Sequence, residues 1–365
     1  MKKQFSLFLM LCICVFEIDA SYPPNYYEAL NGKTGAVLKT ALHEIICQDT
    51  TQYLNYGSGN GRTWQGFYST DRNESNNSIV DMYSSEVVYF PADYVVSGYK
   101  GFGSAVQIEH SVPKSWWKCD IKHPDCAAKD LNHLYPANGS MNASKNNNPL
   151  GVVSGKITKD NGVSKVGMAT YDDYTGNVFE PANEYKGDFA RSYFYVATAY
   201  EHYTNKWDTS LAGNMMQANT YPTLKSWAVN LLLQWHRQDP VSERERTRTD
   251  KVFDIQKNRN PFIDFPELVE YIWGDRVGSA WNVAVGLENN VSNLQLIFNS
   301  NQNSILIQST ENLAVSISVY TIDGKMILQQ NTSTNTLVSF SQMLKGIYIV
   351  RAVTDREIIT RKVIF

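Results

Sequence analysis

The sequence is poor in the residue types on which several classes of protein depend. Its 365 residues include only six histidines and five cysteines, and the formal net charge is -3. So few histidines exclude a large histidine-rich metal cluster. Because there is no net positive charge, the chain has no overall basic field, and a polyanionic partner has to be held by a local basic groove.

Long apolar segments are also scarce. One stands at the start of the chain, where two lysines precede an apolar run from Phe5 to Phe16. This run is too short to span a bilayer as a helix and is typical of a secretory signal peptide. We therefore predict a signal peptide at residues 1–20, a secreted mature chain and no transmembrane helix.

Three cysteines follow the predicted signal peptide. In an oxidising compartment, Cys119 and Cys126 can close a short loop as a disulfide. A zinc site is the alternative, but no further cluster of Cys or His completes its ligand set. Cys47 belongs to an apolar pattern at helical spacing over residues 33–47, which predicts a helix behind Thr34 and a buried free thiol.

Further helical patterns occur in the first three-quarters of the chain. Ser242 and Glu245 form the signature of a capping box, which marks the start of one helix, and Pro261 limits its end. Residues 55–66 are rich in Gly and Asn and predict a loop, while residues 68–110 predict short strands and turns. The additional helices are predicted at residues 189–202, 223–236, 243–260 and 266–274.

The composition changes after about residue 285, where short strand patterns replace helical ones. Asp323-Gly324 is a strong hairpin signal between two of these strands. Seven such strands, beginning at Leu294, predict a small Ig-like β-sandwich. The predicted fold class is therefore α+β, with a mixed domain at residues 21–285, a linker at 286–293 and an all-β domain at 294–365.

Three neighbouring segments hold the candidate catalytic residues. The first contains Glu109 and His110 and ends as a strand before Pro113, which cannot donate to a sheet ladder. The second, residues 131–135, predicts another short strand, and the third can begin a helix through Asn142. Strand, loop, strand and helix packed in this order bring Glu109, His110 and Asn142 close together.

These side chains suit one kind of chemistry. A carboxylate and an amide oxygen are ligands for Mg²⁺ or Ca²⁺ rather than zinc. A neutral histidine beside the cation can take a proton from water, while the cation stabilises charge on a phosphate, which amounts to metal-assisted phosphodiester hydrolysis. Taken alone, an adjacent Glu-His pair is more often a solvated strand end. His133 fits a structural role better than that of the base.

The ordered motifs resemble a known family. The segments E-H-S-V-P-K-S-W from Glu109, D-L-N-H-L-Y-P-A-N-G-S-M-N from Asp130 and the stretch Trp235–Asp264 are similar to those of endonuclease I, a family of secreted nucleases. An early motif at Gly61–Phe67 is similar too. The resemblance covers roughly residues 25–275 and implies a mixed domain with a ββα-metal, or His-Me finger, nuclease core.

The resemblance also implies roles for individual residues. His110 matches the general base that activates the attacking water. Glu109 and Asn142 match the ligands of a single Mg²⁺, with Ca²⁺ or Mn²⁺ as alternatives. The implied substrate is DNA, RNA or both.

The family's phosphate-holding arginine has no direct match in this chain. In the family it lies in a cysteine-containing loop after the Glu-His pair, where this chain has lysines and no arginine. Lys118 or Lys122 can replace it as a point charge without bidentate geometry. A second family arginine, placed shortly after the metal asparagine, corresponds to Lys145.

Further basic residues lie on the predicted helices. We predict that Arg191 and Arg259 contact phosphates in a groove. The alternative is a solvated charged helix face, which Glu243 and Glu245 partly neutralise. Phosphate contacts of this kind give an affinity that is independent of sequence and sensitive to salt.

The C-terminal strands resemble a second family. The segments Val319–Lys325, Leu344–Arg351 and Arg361–Phe365 are similar to the type IX secretion sorting domain. This resemblance implies export across an outer membrane with the secretion machinery as a partner. A generic Ig-like accessory domain is the alternative.

The sequence thus predicts a secreted, non-specific, metal-dependent endonuclease that acts on DNA or RNA as a monomer. One alternative is a secreted nucleic-acid-binding or adhesion protein on a degenerate nuclease scaffold. Another is a phosphodiesterase for a different phosphate ester.

Overall fold

In the computed structural model, the chain divides into two compact units between residues 283 and 284. The predicted signal peptide and linker, together with Lys122 and the predicted Cys119–Cys126 disulfide, lie outside the described residues. The described residues are 22–118, 127–282, 295–299, 304–309, 312–321, 325–340, 346–354 and 358–364.

Helices dominate the described part of the first unit, and most of them bury an apolar face, whereas the buried side of α6 is mainly polar. In α1 the side chains of Leu38, Leu42 and Ile45 lie at helical spacing, and all three are buried. The helices are α1 (Gly35–Ile46), α2 (Thr63–Thr70), α3 (Gly139–Lys145), α4 (Lys186–Ala199), α5 (Ser226–Gln238), α6 (Glu243–Gln256), α7 (Pro261–Asp264) and α8 (Leu268–Ile272).

Two small antiparallel sheets accompany these helices. Strand β1 (Val106–His110) pairs with β2 (Leu134–Asn138), and Glu109 lies opposite Tyr135 in the register. Helix α3 follows β2 without a break, so strand, strand and helix form one short unit. The second sheet has the order β3-β4-β5, with β3 at Ile157–Asp160, β4 at Lys165–Tyr171 and β5 at Tyr174–Glu180.

Helix α4 lies at the centre of the first unit. Every one of its residues is buried, and Phe194 packs against Phe262 and Trp273 with ring centroids 6.0 and 4.8 Å apart. Burying an aromatic or leucine side chain contributes roughly 1.5–3 kcal/mol. The Tyr135 ring on β2 packs against Phe189 of α4 with centroids 6.0 Å apart, so this packed centre supports the β1–β2 sheet.

A buried ion pair connects the β1–β2 sheet to the helices. The guanidinium of Arg248 on α6 donates to both carboxylate oxygens of Asp71, at 2.8 and 3.0 Å. It also donates to the carbonyl oxygens of Leu131 and Leu134, at 2.9 and 2.7 Å. Since Leu134 begins β2, one side chain fixes the strand to both α6 and the end of α2.

The second unit is all-β in its described part. Its strands form two sheets, with the orders β10-β7-β6 and β12-β11-β8-β9, and one apolar cluster takes Ile305 from one sheet and Ile317 and Val350 from the other. The strands are β6 (Gln295–Asn299), β7 (Ser304–Gln308), β8 (Ala314–Thr321), β9 (Met326–Ser333), β10 (Thr336–Ser339), β11 (Ile347–Val353) and β12 (Ile358–Ile364).

Most predicted elements are confirmed, and several were not foreseen. The capping box of α6 is present, with Ser242 and Glu245 bonding to each other's backbone. Helix α2 begins inside the predicted 55–66 loop, and strands β3 to β5 fall where the sequence predicts no sheet. No helix in the described part of the chain is both long and apolar enough to cross a membrane.

The expected burial of Cys47 is wrong. Cys47 is a free cysteine, as predicted, but it is exposed at the C-terminal end of α1. Its thiol lies 3.2 Å from the carbonyl oxygen of Ala199, to which it donates. The helix ends at Ile46, one residue earlier than the sequence suggests, so Cys47 lies at the helix end and not on its buried face.

Candidate active site

Glu109 and His110 occupy the last two positions of β1. Neighbours on a strand point to opposite faces, yet both side chains reach the same cleft because the strand stops at His110 and the chain turns through Pro113. The two residues are 4% and 8% exposed. Together with Asn142 they line a cavity of about 320 Å³. The structure therefore brings all three predicted residues together.

The carboxylate of Glu109 is held from one side. Its Oε1 accepts a hydrogen bond from the Tyr83 hydroxyl at 2.9 Å and lies 2.6 Å from the Lys145 ammonium. Burial raises the pKa of Glu109, while Lys145 and Tyr83 oppose the rise. Both described contacts use Oε1, so Oε2 is the oxygen that can serve a further ligand.

The imidazole of His110 has a fixed tautomer. Its Nε2 lies 3.1 Å from the Ala128 carbonyl oxygen, and because a carbonyl only accepts, Nε2 carries the hydrogen. Nδ1 is then the unprotonated acceptor. The Tyr56 ring stacks on the imidazole with centroids 5.5 Å apart. Desolvation lowers the pKa of His110 to about 3, so the ring is neutral at neutral pH.

Asn142 is positioned through the start of its helix. Asn138 caps α3 by accepting from the backbone N–H of Met141 at 3.0 Å. Asn138 is itself held by Asp81, which accepts from its backbone N–H, and by Glu86, which accepts from its side chain. This bracing fixes the helix whose first turns carry Asn142.

The amide of Asn142 is oriented as well. Its Nδ2 donates to Gln107 Oε1 at 3.2 Å. The amide oxygen is therefore on the other side of the group and can serve as a ligand. Gln107 lies on β1, so the strand that carries Glu109 also sets the rotation of the asparagine.

The oxygen donors of the cleft fit a hard divalent cation. One carboxylate and one amide oxygen are the ligand types that Mg²⁺ accepts, and Mg²⁺ usually keeps several waters of its own. Within the described residues, no group of three or more His, Cys, Asp or Glu could hold a metal ion by itself. A cation in this cleft would therefore be bound by few protein ligands and remain open to a phosphate.

The predicted role of Lys145 as a substrate contact does not fit its position. Its side chain is fully buried and pairs with Glu109, and its ammonium also lies 3.4 Å from the carbonyl oxygen of His110. A buried ammonium satisfied by a carboxylate is not available to a phosphate. Lys145 instead steadies the end of β1 and partly neutralises Glu109.

Among the residues that the structure describes, the lysine that lines the cleft is Lys114, which sequence reasoning missed. It lines the same cavity as His110 and Asn142, and its ammonium lies 5.8 Å from the centre of the Tyr56 ring. Lys118, the predicted contact, is 71% exposed and lies 3.9 Å from Asp208. The signal for Lys114 was its place one residue after the strand-breaking Pro113.

The two predicted phosphate-binding arginines are buried in ion pairs. Arg191 donates to both oxygens of Glu245, at 2.6 and 2.8 Å. Arg259 donates to both oxygens of Asp264, at 2.8 and 2.7 Å. The two residues are 0% and 1% exposed. The prediction of phosphate contacts is corrected accordingly, because neither guanidinium reaches a surface groove.

His133 has the structural place expected for it. The residue is fully buried, and its Nε2 lies 2.6 Å from the Ala127 carbonyl oxygen. The rings of His133 and His110 lie 6.0 Å apart. His133 therefore braces residues 127–129, the short turn that also holds His110.

The cleft brings together a buried carboxylate, an amide oxygen, a neutral imidazole and a lysine. These groups are typical of a hydrolase that acts on phosphate esters. Comparison with known proteins narrows this class. The sequence model described as Endonuclease I matches residues 34–267, so the chain belongs to the endonuclease I family. The model of the secretion system C-terminal sorting domain matches residues 299–365.

Individual relatives point the same way. An extracellular ribonuclease of Bacillus subtilis is 31% identical over 253 residues, which cover 68% of this chain and 78% of the relative. An extracellular ribonuclease of Bacillus amyloliquefaciens is 32% identical with the same coverage. Endonuclease-1 of Buchnera aphidicola is 23% identical over 189 residues, covering 48% of this chain and 65% of the relative. The protein is therefore a secreted nuclease that hydrolyses phosphodiester bonds.

Proposed function

We propose that this nuclease is a non-specific endonuclease that cleaves DNA and RNA with one divalent metal ion and His110 as the general base. The observation that carries the proposal is the meeting of Glu109, His110 and Asn142 around one cavity. Hydrolysis by an activated water requires a neutral base on one side of the cleft. On the other side it requires oxygen ligands for the metal, here a carboxylate and an amide.

Glu109 and Asn142 would hold the metal through Oε2 and the amide oxygen. Their hard oxygen ligands favour Mg²⁺, with Ca²⁺ or Mn²⁺ as alternatives. When bound, the cation supplies positive charge that stabilises the developing charge on the phosphate and the leaving oxygen. The Tyr83 hydroxyl and Lys145 keep Glu109 oriented, since both contact Oε1.

His110 would accept the proton of the attacking water at Nδ1. The Ala128 carbonyl holds the hydrogen on Nε2 and so keeps Nδ1 free. Stacking on Tyr56 fixes the plane of the ring. Since burial lowers the pKa of His110 to about 3, the base is unprotonated across the neutral range.

Lys114 would hold the scissile phosphate as a point charge. It is exposed and lines the cavity of His110, and we propose that it serves instead of the arginine that the family uses. Lys118 and Lys122 are proposed as weaker contacts farther along the substrate. Lysine lacks the bidentate geometry of arginine, so this contact favours charge over orientation.

The nucleophile decides the range of substrates. Water activated by His110 needs no 2′-hydroxyl, so the same site would cleave DNA and RNA. Two relatives named as extracellular ribonucleases support the RNA activity. RNA cleaved in this way leaves no 2′,3′-cyclic phosphate, whereas attack by the 2′-hydroxyl would produce one.

The remaining expectations belong to the same proposal. We infer that β1, β2 and α3 form a ββα-metal core and that the two C-terminal sheets form an Ig-like sandwich. We also propose a signal peptide at residues 1–20, a mature nuclease domain ending near residue 285, and a disulfide between Cys119 and Cys126. The protein would act as a monomer.

A plasmid-nicking assay tests the mechanism. Purified protein with Mg²⁺ is expected to nick a supercoiled plasmid and to degrade a structured RNA. EDTA should abolish both activities, and His110→Ala should reduce both by about 10²- to 10⁴-fold, which is the usual effect of losing a general base.

The matched control for His110→Ala is His236→Asn, which changes a buried histidine on α5 outside the cleft. Nicking that persists in EDTA, or full activity of the His110→Ala variant, would refute the proposed mechanism. Binding of DNA without any nicking by the wild-type protein would favour the nucleic-acid-binding protein on a degenerate scaffold. Mass spectrometry of the RNA products then identifies the nucleophile.

A further inference from the structure

A second cavity of the nuclease unit is larger than the catalytic one and takes no part in the proposed mechanism. It has a volume of about 730 Å³ and is lined by side chains that include His43, Gln52, Tyr53, Asn55 and Lys129. We call it the Lys129 cavity. Its described lining contains no aspartate or glutamate, although the Tyr200 hydroxyl donates at 2.9 Å to the buried Asp130 carboxylate behind it.

Lys129 is an unusual residue in this position. It is only 6% exposed, and within the described part of the chain it has no carboxylate at ion-pair distance. Desolvation lowers the pKa of its ammonium. A buried lysine is normally paired, so an unpaired one that lines an open cavity points to an anionic ligand.

Two imidazoles also belong to the lining. The rings of His43 and His202 lie 5.3 Å apart, and both residues line the cavity. The Nδ1 of His43 donates to the Ala199 carbonyl oxygen at 2.9 Å, so the neutral ring presents Nε2 as an acceptor. We therefore assign the phosphate to the ammonium of Lys129, which carries three donors.

The rest of the lining fits a nucleobase. The ring of Tyr53 offers a surface on which a base can stack, whereas Tyr200 is 1% exposed and contacts the Tyr53 hydroxyl through its own at 3.4 Å. The side-chain amides of Gln52 and Asn55 offer a donor and an acceptor each, which matches the edges of nucleobases. An aromatic ring, amides and an ammonium in one cavity are the combination that a nucleotide requires.

The cavity adjoins the catalytic histidine through the chain. Asn55 precedes Tyr56, whose ring stacks on His110. Lys129 follows Ala128, whose carbonyl accepts the hydrogen bond from His110. Consecutive Cα atoms lie about 3.8 Å apart. The two residues that hold His110 therefore border lining residues of the Lys129 cavity.

We propose that the Lys129 cavity binds a nucleotide of the substrate strand near the scissile phosphate, with the phosphate at Lys129 and the base against Tyr53 and the amides. The assignment to the substrate strand rests on the proposed nuclease mechanism. The binding of a nucleotide does not, because it depends only on the lining residues.

Isothermal titration calorimetry in EDTA separates these two parts. Uridine 5′-monophosphate is expected to bind the wild-type protein and the His110→Ala variant equally. Lys129→Met should weaken binding by about tenfold or more, because a charge-assisted hydrogen bond is lost. Tyr53→Leu should weaken nucleotide binding by about tenfold through lost stacking, while leaving the affinity for inorganic phosphate unchanged.

The control for Lys129→Met is Lys156→Met, which removes an exposed lysine elsewhere in the unit. Lys129→Met should also fold stably, since it removes a desolvated and unpaired ammonium. A wild-type protein that binds no nucleotide, or a Lys129→Met variant that binds as well as the wild type, would overturn the site.

Steady-state kinetics then distinguish the source of the nucleotide. With a long single-stranded substrate, Lys129→Met should raise KM about tenfold with kcat little changed, because ground-state binding alone is lost. An unchanged KM together with weakened nucleotide binding would overturn the assignment to the substrate strand and make the cavity a site for free nucleotides. Inactivity of the wild-type protein would refute the proposed mechanism, while the calorimetric result would still decide the site.

Discussion

Basic side chains of the nuclease unit occupy two regions with different surroundings. In the interior, Arg191, Arg248 and Arg259 each face both oxygens of one carboxylate, and all three are buried. At the two cavities, Lys114 and Lys129 lie without such a partner among the described residues. The first region holds elements together, and the second is free to receive an anion.

The difference follows from the chemistry of the two side chains. A guanidinium satisfies a carboxylate with two parallel hydrogen bonds, which makes it suitable for a buried, oriented pair. An ammonium is a compact point charge that tolerates several geometries, as a moving substrate requires. In this chain Arg191, Arg248 and Arg259 act in the fold, and we propose that lysines contact the phosphates.

The largest effect that would test this comparison is on stability. Arg248→Met should lower the free energy of unfolding of the nuclease unit by about 3–5 kcal/mol, because Asp71 is left as an uncompensated buried charge. Urea unfolding followed by tryptophan fluorescence measures this unit alone, since all eight tryptophans lie between Trp64 and Trp281.

The control for this variant is a surface ion pair. Arg237 is 45% exposed and pairs with Glu270, so Arg237→Met should change the free energy of unfolding by no more than about 1 kcal/mol. Equal effects of the two substitutions would show that burial does not separate the regions in the way we describe.

A second prediction concerns catalysis at Lys114. Lys114→Ala should lower kcat/KM for plasmid or RNA by roughly 10- to 100-fold, because a charge-assisted contact with the phosphate is lost. Stability should change little, since the side chain is exposed. Lys114→Arg should restore part of the activity.

Lys118→Ala serves as the comparison for Lys114→Ala. Its ammonium is largely exposed and lies near Asp208, so the loss should be about twofold, which is the range of a solvent-screened charge. A larger loss from Lys118 than from Lys114 would contradict our assignment of the phosphate contact.

The smallest predicted effect is a pH dependence in the buried region. Desolvation, with the neighbouring Arg191 charge, lowers the pKa of His236 to about 4 in the folded protein. The unfolded value is about 6.5, so the folded state binds fewer protons. The resulting stability is complete above that value and is lost as pH falls from about 6.5 towards 4, by about 2 kcal/mol at about pH 4.5.

Urea titrations at pH about 7.5 and about 4.5 check this effect. His236→Asn should show a smaller loss between the two pH values than the wild type, whatever its absolute stability. An identical loss in both proteins would mean that His236 does not titrate in this range. Other buried groups also contribute: burial lowers the pKa of His110 and His133, and it raises the pKa of Asp188 to about 7, with the opposite effect on stability.

Local signals in the sequence were sufficient for the long elements. The capping box of Ser242 and Glu245 located the start of α6, because a helix beginning needs its own hydrogen-bond partners. The short helix α2 was not predicted, because the glycines before Thr63 dominate the local composition and indicate a loop. Strands β3 to β5 escaped as well, because pairing with neighbours rather than their own pattern defines them.

The candidate site divides in the same way. Glu109, His110 and Asn142 could be predicted from residue type and order, and the structure gathers them in one cleft. Arg191 and Arg259 could not be interpreted correctly, because their carboxylate partners lie on other turns or elements. Lys114 and Lys129 were overlooked, since an exposed or buried lysine looks the same in a sequence.

The sequence by itself determined the family, the order of the longer helices and the residue types available for catalysis, because these depend on local patterns and shared motifs. Only the tertiary structure decided which charges are neutralised and which face a cavity. The physical reason is that a charge acquires its role from what lies within a few ångströms in space, and folding brings those neighbours from distant parts of the chain.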